Sequence, residues 1–295
     1  MKIKWKSPGR GEQFSLARGI SETLQGVLFA GRWPARLLDR VPAATRVQLI
    51  EHELTVSDGA AALSAGTEVA LAPLRLAFIS DLHIGPLTPR RLLDNAFQML
   101  ISLAPDVLVL GGDYVFLDVN ERMARELEER VAAVPARTKV AVLGNHDLWT
   151  HHHLIERALE RAGCRVLVND AHRLPAPHDR FAFVGIDEPW TGRADGARAF
   201  AASDAPINIA VSHAPEGLPF VEGRGAKLLL CGHTHGGQIA LPKGPVVVHG
   251  PLGRRWPSGL HHLAGMHLFV SRGIGMVDVP LRAYAPSDVS LFTLR

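Results

Sequence analysis

Five short apolar runs in this chain are each followed at once by polar residues that can bind a metal ion. The runs lie at residues 74–80, 106–110, 139–143, 207–212 and 227–231. Helical patterns at residues 89–103 and 119–133 separate the first three runs, and strand and helix in alternation predict an α/β fold with a largely buried sheet. Because α/β folds place their sites at strand ends, we expect these polar residues to meet at one place.

The remaining patterns extend the α/β prediction over most of the chain. Residues 47–56 alternate enough for an edge strand, and further strands are predicted at residues 181–185, 267–271 and 289–294. A short helix is predicted at residues 153–162. With 295 residues, of which 47% are hydrophobic, the chain can bury one large core. We assign residues 46–295 to that domain and residues 1–45 to an N-terminal extension.

The N-terminal extension is basic and carries an amphipathic pattern. Residues 1–46 hold nine Lys/Arg against three Asp/Glu (+6), which leaves 23 against 26 (−3) for residues 47–295. Apolar residues recur at helical spacing at Phe14, Ala17, Ile20, Leu24 and Val27. Two interpretations remain open: the helix lies on an anionic membrane surface, or it packs on the core of the domain. The mildly acidic domain argues against general nucleic-acid binding.

Cysteine usage and the lack of a long apolar run favour the cytoplasm. Cys164 and Cys231 are far apart and neither belongs to a Cys-x-x-Cys pair, so a disulfide scaffold and a structural zinc site are not expected. The apolar run at residues 26–31 is too short for a signal-peptide core or a membrane span. We therefore expect a cytoplasmic protein that is at most peripherally bound to the inner face of the membrane.

The first two metal-binding motifs supply carboxylates. The first strand runs into Ser80-Asp81-Leu82-His83. Because side chains alternate along extended backbone, Asp81 and His83 can face the same way and bind one ion. The second strand ends in Gly111-Gly112-Asp113, where the two glycines let the backbone bring Asp113 close to a crowded centre, in reach of two cations.

The other three motifs supply an amide oxygen and imidazoles. After the third strand, we expect Asn145 to be a ligand and His146 to face the substrate. Asp147 is expected to orient a histidine ring without binding the metal itself. His213 follows the fourth strand, and His233 and His235 follow the fifth. This set of nitrogen and oxygen ligands suits Mn²⁺, Zn²⁺, Fe or Co²⁺ better than Mg²⁺ or Cu⁺, and seven ligands are too many for one ion.

Taken together and in order, the five motifs resemble those of the calcineurin-like metallophosphoesterase family. That pattern is Asp-x-His, Gly-Asp, Gly-Asn-His-Asp/Glu, His and Gly-His-x-His, and it is complete in roughly residues 46–295. The resemblance implies a four-layer sandwich of two mixed β-sheets flanked by helices, with the site on loops at the strand ends. It also implies that Asp81, His83 and His235 bind a first metal and that Asn145, His213 and His233 bind a second. Asp113 would bind both and His146 neither.

Two divalent cations in one cleft imply hydrolysis of a phosphoester. Cations about 3.5–4 Å apart would lower the pKa of a shared water and clamp the phosphate oxygens, so that a bridging hydroxide is the expected nucleophile. His146, held by Asp147, would stabilise the developing charge or protonate the leaving oxygen. Mn²⁺ is the metal that we expect first.

The resemblance limits the expected substrate class more than the predicted metal chemistry does. Residues 232–239 and Ser271-Arg272-Gly273-Ile274-Gly275 look like the bacterial branch of membrane-associated phosphodiesterases, one subgroup of which hydrolyses the pyrophosphate of UDP-2,3-diacylglucosamine. Residues 284–288 depart from that branch. The alternatives are a cyclic-nucleotide or nucleic-acid phosphodiesterase and a metal-free binding scaffold. The expected substrate is thus a phosphorylated small molecule or a lipid-linked phosphodiester or pyrophosphate.

Overall fold

The chain forms two six-stranded mixed sheets, as seen in a computed structural model that describes residues 7–12, 14–56 and 72–295. The basic residues Lys2, Lys4 and Lys6 of the extension lie outside the described residues. The strands are β1 (Val47–Leu54), β2 (Leu74–Ile79), β3 (Val107–Leu110), β4 (Thr138–Ala141), β5 (Cys164–Val166), β6 (Asp170–Arg173), β7 (Phe181–Gly185), β8 (Ile207–Val211), β9 (Ala226–Cys231), β10 (Ala240–Leu241), β11 (Gly244–Pro245), β12 (Gly259–Leu263), β13 (Met266–Val270) and β14 (Ser287–Leu294).

Helices connect most of these strands. They are α1 (Leu16–Leu28), α2 (Trp33–Leu38), α3 (Arg90–Leu103), α4 (Glu121–Ala132), α5 (Asn145–Leu148), α6 (His152–Arg161), α7 (Gly196–Ala201) and α8 (Pro251–Arg255). Short 3-10 helices in the described part of the chain lie at Ala30–Arg32, Pro42–Thr45, Pro215–Phe220 and His235–Gly237. None of the described helices combines the length and the apolar character needed to span a bilayer.

The strand order places the ligand-bearing strands side by side. In the first sheet the order is β1-β14-β2-β3-β4-β5, and β2, β3 and β4 run parallel. In the second sheet the order is β12-β13-β9-β8-β7-β6, and β8 runs parallel to β9. Parallel neighbours end at the same edge of a sheet, so the motifs that follow these strands lie together.

Side chains that alternate between the two faces of each sheet fill the separate hydrophobic cores of the sandwich. Leu76 and Phe78 of β2 point between the two sheets, where they pack with Phe269 and Phe292. The alternate residues Ala77 and Ile79 point to the other face of the sheet, towards the core formed with α3, α4 and α6. A third cluster covers the outer face of the second sheet. The predicted sandwich of two mixed sheets flanked by helices is therefore confirmed.

Most predicted elements are present, and the missed ones are short or polar. The helices predicted at residues 89–103, 119–133 and 153–162 correspond to α3, α4 and α6. The missed strands include β5, with three residues, and β6, whose sequence Asp-Ala-His-Arg contains one small apolar residue. Neither offers enough residues for a periodicity of two to be read, and both form because a neighbouring strand pairs with them.

The apolar stripe of the extension faces away from the domain. Ile20, Leu24 and Val27 on α1 are exposed, whereas Gly19 and Glu22 on the opposite face are buried. Three of the five stripe residues therefore do not pack on the core, whereas Phe14 lies beside Trp149, and docking of the stripe on a membrane stays a prediction. The helix does contact the domain, but through its small and polar face.

Candidate metal centre and active-site cleft

The first cluster of predicted ligands brings Asp81, His83 and His235 together at the ends of β2 and β9. The ring nitrogens His83 Nε2 and His235 Nε2 lie 3.0 Å apart. Asp81 Oδ1 is 3.5 Å from His235 Nε2 and 3.9 Å from His83 Nε2, and all three side chains are buried. Two ring nitrogens this close share one proton at most, whereas a cation between them would accept both lone pairs.

The second cluster contains Asp113, Asn145, His213 and His233. His213 Nε2 lies 3.2 Å from Asp113 Oδ2 and 3.3 Å from His233 Nδ1. Asn145 Oδ1 lies 2.9 Å from His233 Nδ1. Asp113 Oδ2 is also 3.6 Å from His83 Nε2, so this carboxylate is shared by the two clusters. The seven predicted ligands thus lie together in two groups that meet at Asp113, although their roles as ligands stay predictions.

The backbone is strained at most of these residues. Five of the seven predicted ligands have a positive φ: Asp81 (54°), His83 (43°), Asp113 (56°), His233 (71°) and His235 (53°). Non-glycine residues adopt this left-handed region at a cost of about 1–3 kcal/mol, and such residues cluster at functional sites. The strand ends therefore hold these side chains in a geometry that the local sequence alone would not choose.

Glycines allow the carboxylates to approach. A Cβ atom at Gly144 would lie 2.1 Å from Asp113 Oδ1, and a Cβ atom at Gly232 would lie 2.4 Å from Asp81 Oδ2. Both contacts are far shorter than a van der Waals separation. The two glycines of the Gly-Asn-His-Asp and Gly-His-x-His motifs are therefore required by packing against the carboxylates rather than by their own φ angles.

Burial keeps most of the imidazoles neutral. It lowers the pKa of His83 to about 4 and that of His233 to about 3, and it holds the pKa of His235 well below the ordinary value. Burial acts in the same direction on His213, but the Asp113 carboxylate outweighs it and raises the His213 pKa to about 10. Since neutral imidazole is the form that binds metal, three of the four rings are ready for a cation and His213 would release a proton to bind one.

The far ring nitrogens of two histidines are held by backbone carbonyls. His213 Nδ1 lies 2.8 Å from Gly111 O, and His83 Nδ1 lies 3.4 Å from Val115 O. A carbonyl oxygen accepts a hydrogen bond, so it places a ring proton on Nδ1. The Nε2 lone pair then faces the cluster in the neutral His83 ring, and in His213 once that ring has released its second proton. The donor set and its orientation therefore fit divalent cations of the Mn²⁺ or Zn²⁺ type.

Arg282 is a site residue that the sequence analysis missed. Its guanidinium donates to His235 Nδ1 (2.9 Å), to Gly275 O (2.7 Å) and to Ala285 O (2.9 Å). An arginine always donates, so His235 Nδ1 accepts and the proton of the neutral ring lies on Nε2, opposite His83 Nε2.

The prediction that Asp147 orients a histidine ring is wrong. Asp147 Oδ2 accepts from the backbone N–H groups of Asp113 (2.8 Å) and Gly144 (2.9 Å), and Oδ1 accepts from Tyr114 N (2.8 Å). Two of these donors lie in the backbone that presents Asp113, and the third belongs to Gly144, which packs against the Asp113 carboxylate. Asp147 therefore positions the shared carboxylate, and it does not hold His146 through its ring.

His146 lies between the clusters and the cleft. Its backbone N–H donates to Asp113 Oδ1 (2.9 Å), and its ring centroid is 4.9 Å from that of His83. A ring nitrogen of His146 lies within 4.8 Å of ligand atoms of His83 and Asp113. Burial lowers the pKa of His146 well below its ordinary value, and the nearby Arg18 guanidinium adds to this effect. The ring is thus neutral and close enough to contact either a cation or a substrate.

A cleft of about 300 Å³ leads from the clusters to the surface. Besides the predicted residues it is lined by Trp149 and Trp190 and, on the far side, by Ser15 and Arg18 of the extension. The Trp190 ring lies 5.8 Å from that of His233. Sequence analysis identified none of these four, because an isolated tryptophan, serine or arginine carries no motif.

Long-range hydrogen bonds hold the first described segment of the extension on the rim of this cleft. They join Arg10 to Asp187 (2.7 and 2.8 Å), Gly11 N to Leu148 O (2.9 Å), Glu12 N to Thr191 O (2.7 Å) and Trp149 Nε1 to Glu12 O (3.0 Å). Further on, Gln25 Nε2 of α1 donates to Asp278 Oδ1 (3.0 Å). The extension thus crosses the site and closes one side of it.

Comparison with known proteins places this geometry in a family. Residues 74–237 match the family described as calcineurin-like phosphoesterase. Phosphodiesterase YaeI of Escherichia coli (strain K12) is 31% identical over 231 residues, which cover 76% of this chain and 83% of that protein. Metallophosphoesterase YkuE of Bacillus subtilis (strain 168), itself uncharacterized, is 26% identical over 221 residues, which cover 73% of this chain and 77% of that one. The crystal structure of TT1561 of Thermus thermophilus is similar with a TM-score of 0.47 and 12% identity, over 69% of this chain and 91% of that one.

The chain belongs to the calcineurin-like phosphoesterase family. It is a metal-dependent phosphoester hydrolase, the class of enzyme that the five motifs predicted. The complete set of predicted ligands and their convergence likewise favour an enzyme over a metal-free scaffold.

Proposed function

We propose that this enzyme uses two divalent cations to hydrolyse a phosphodiester or pyrophosphate bond of a lipid-linked substrate, such as UDP-2,3-diacylglucosamine, at the inner face of a membrane. The observation that carries the proposal is the exposed apolar face of α1 beside the cleft. The name of the relative YaeI, a phosphodiesterase, supports the choice of bond.

The two clusters would each hold one cation and share Asp113. Mn²⁺ is the first expectation, and Zn²⁺, Fe or Co²⁺ are alternatives with the same ligand preferences. When bound, two such cations supply an activated water and neutralise charge on the phosphate. The protein would contribute fixed positions for the predicted ligands, through the strained backbone at five of them and through the contacts of Asp147 with the Asp113 backbone.

His146 would act on the substrate by donating a hydrogen bond. Its ring is neutral because burial lowers its pKa, so an N–H of the ring can stabilise charge on a phosphate or leaving-group oxygen without giving up a proton. The hydrogen bond from its backbone N–H to Asp113 keeps the ring at the edge of the metal centre. Of the two roles expected from the sequence, charge stabilisation is the better supported.

The outer face of α1, formed by Ile20, Leu24, Val27 and Leu28, would dock on the membrane. Leu24 is 53% exposed, Val27 60% and Leu28 62%, although burying such side chains is favourable by about 25 cal/mol per Å². The inner face of the same helix lines the cleft through Arg18. A membrane bound to the outer face would thus present lipid head groups within a helix diameter of the site.

Apolar residues continue across the cleft mouth. Val246 (56% exposed), Val247 and Val279 line a groove that leads to His233 and His235. A groove with an apolar outer part and a polar inner end suits a substrate with acyl chains and a phosphorylated head. The +6 charge of residues 1–46 would add attraction to anionic lipids, at about 1 kcal/mol for each basic residue near the surface.

The double substitution Leu24→Glu/Val27→Glu tests this proposal. It places two negative charges on the outer face of α1, so it should abolish sedimentation with vesicles that contain anionic phosphatidylglycerol. It should also slow turnover of UDP-2,3-diacylglucosamine in such vesicles, while hydrolysis of soluble bis-p-nitrophenyl phosphate stays within about twofold, because neither side chain lines the cleft.

Arg157→Glu is a matched control, since it changes the net charge by the same amount at an exposed position on α6. This variant should still sediment with the vesicles. If the unsubstituted protein ignores the vesicles and prefers soluble cyclic nucleotides, the lipid proposal is wrong and the cyclic-nucleotide alternative replaces it.

A further inference from the structure

The guanidinium of Arg18 is fixed at the mouth of the metal centre by three side chains. Its Nε donates to Glu22 Oε1 at 2.9 Å, one turn along α1. Its Cζ lies 3.6 Å from the centroid of the Trp149 ring. Its Nη2 approaches both ring nitrogens of His146, at 3.3 and 3.4 Å. The ion pair and the stacking set the plane of the group, and 28% of the side chain remains accessible from the cleft.

This arrangement is difficult to explain by stability alone. The ion pair with Glu22 uses the Nε edge, which turns the Nη edge towards His146 and the cleft. A guanidinium gains little from a single imidazole beside it, because at most one of the two ring nitrogens that it approaches can accept a hydrogen bond. The Nη edge of Arg18 and the ring N–H of His146 are two donors beside the predicted metal centre. Their proximity becomes favourable when an anionic oxygen lies between them and accepts from both.

We propose that Arg18 binds an anionic oxygen of the substrate phosphate next to His146. The planar fork of arginine matches phosphate geometry, and Arg18 lines the same cleft as Asp113, Asn145 and His233. The N-terminal extension therefore supplies a substrate-binding residue that none of the five motifs contains. The inference rests on the proposed metal-dependent hydrolysis, but not on the substrate being a lipid.

Arg18→Gln tests the inference in solution, without vesicles. Inorganic phosphate titrated calorimetrically into the Mn²⁺-loaded protein should bind about 10- to 100-fold more weakly than to the unsubstituted protein, as expected for a lost hydrogen bond between charged groups. KM for bis-p-nitrophenyl phosphate should rise by a similar factor. Bound Mn²⁺, measured by elemental analysis, should not change, because the described hydrogen bonds of the Arg18 side chain go to Glu22 and His146 and not to the seven predicted ligands.

Two control variants separate substrate binding from a structural role. Arg157→Gln removes the same charge from an exposed position on α6 and should leave phosphate binding unchanged. Glu22→Gln removes the ion pair but keeps the Arg18 charge, so phosphate affinity should stay within about threefold. Equal losses in Arg18→Gln and Glu22→Gln would overturn the inference, since they would show that Arg18 serves to anchor α1. A loss of Mn²⁺ in Arg18→Gln would overturn it too.

A measurement on the unsubstituted protein decides the case even if Arg18→Gln fails to fold. Phenylglyoxal modifies accessible arginines, and peptide mass spectrometry reports each site. With Mn²⁺ present, inorganic phosphate should slow modification of Arg18 at least fivefold and leave that of Arg157 unchanged; equal rates with and without phosphate would overturn the inference. Failure of the proposed function would be recognised by a different result: the unsubstituted protein would show no hydrolysis that depends on Mn²⁺.

Discussion

The two sides of the cleft are built in different ways. The inner wall, formed by the seven predicted ligands, lies directly after strands of the two sheets; six of these residues are buried, and five have strained backbone. The outer wall, formed by α1 and the loop around Asp278, is exposed, and its helix is joined to that loop by the bond from Gln25 to Asp278. A metal centre needs fixed positions, whereas a surface that admits a substrate needs to be accessible and adaptable.

The difference follows from what holds each wall. Residues of the inner wall follow strands whose neighbours pair with them and whose side chains fill the cores on both faces of a sheet. This packing is strong enough to maintain positive φ angles at Asp81, His83 and Asp113. The outer wall depends on a few hydrogen bonds and one stacked guanidinium. We therefore expect substitutions in the inner wall to have the larger effects.

Asp113→Asn should have the largest effect, because this carboxylate is shared by both clusters. Losing the charge should reduce bound Mn²⁺ below one equivalent and lower kcat/KM by about a thousandfold or more, which corresponds to several kcal/mol of lost charge stabilisation. Elemental analysis and bis-p-nitrophenyl phosphate hydrolysis measure both effects. Asp204→Asn, at a carboxylate that is 78% exposed and paired with Arg173, is the control and should change neither. Full Mn²⁺ content in Asp113→Asn would contradict the prediction that the inner wall holds the metal ligands and that its substitutions have the larger effects.

His146→Ala should have an intermediate effect, because His146 lies where the walls meet. We expect kcat to fall by about 10²–10⁴-fold on an unactivated diester, with a smaller loss for p-nitrophenyl esters, whose leaving group needs less stabilisation. Metal content should stay nearly unchanged. Loss of a metal would instead assign His146 to the inner wall as a ligand, which its position near His83 and Asp113 allows.

Ser15→Ala should have the smallest effect and should be confined to the outer wall. Ser15 is the N-cap of α1 and its side chain accepts from Arg18 N at 3.1 Å. Losing this bond should destabilise the helix by about 1 kcal/mol, so that hydrogen exchange of α1 amides becomes about fivefold faster. Asn120→Ala removes the equivalent cap of α4 and should speed exchange in α4 instead. Unchanged exchange in α1 would show that the outer wall is held by more than its own helix.

Much of the fold could be predicted because its signals are local. Helices α3 and α4 each bury one face of a 3.6-residue pattern, and β2 carries a run of apolar residues long enough to recognise. The strands β5 and β6 could not be found in this way, because β5 has only three residues and β6 only one apolar residue, and both pair with the strands beside them. The pairing of two sheets came from the family resemblance and not from the strand patterns.

The candidate site divides in the same way. The ligand types of the inner wall are contiguous motifs, such as Asp81-Leu82-His83, so their chemistry is visible in the sequence. The role of Asp147 was predicted incorrectly, because the sequence does not show which donors a buried carboxylate meets; here they are three backbone N–H groups. Arg282 and Arg18 lie far in sequence from the five motifs, and no local sequence pattern identifies them as site residues.

The sequence by itself therefore determined the class of chemistry, since the order of the motifs at strand ends already specifies a metal-dependent phosphoester hydrolase. Only the tertiary structure decided what lies opposite the predicted metal ligands. It turns the polar face of α1 inward and leaves Leu24 and Val27 exposed. The physical reason is that these orientations depend on contacts between residues more than a hundred positions apart, such as those from Arg10 to Asp187 and from Arg18 to His146. Helical periodicity reports which residues share a face, but it does not say which face the rest of the protein will cover.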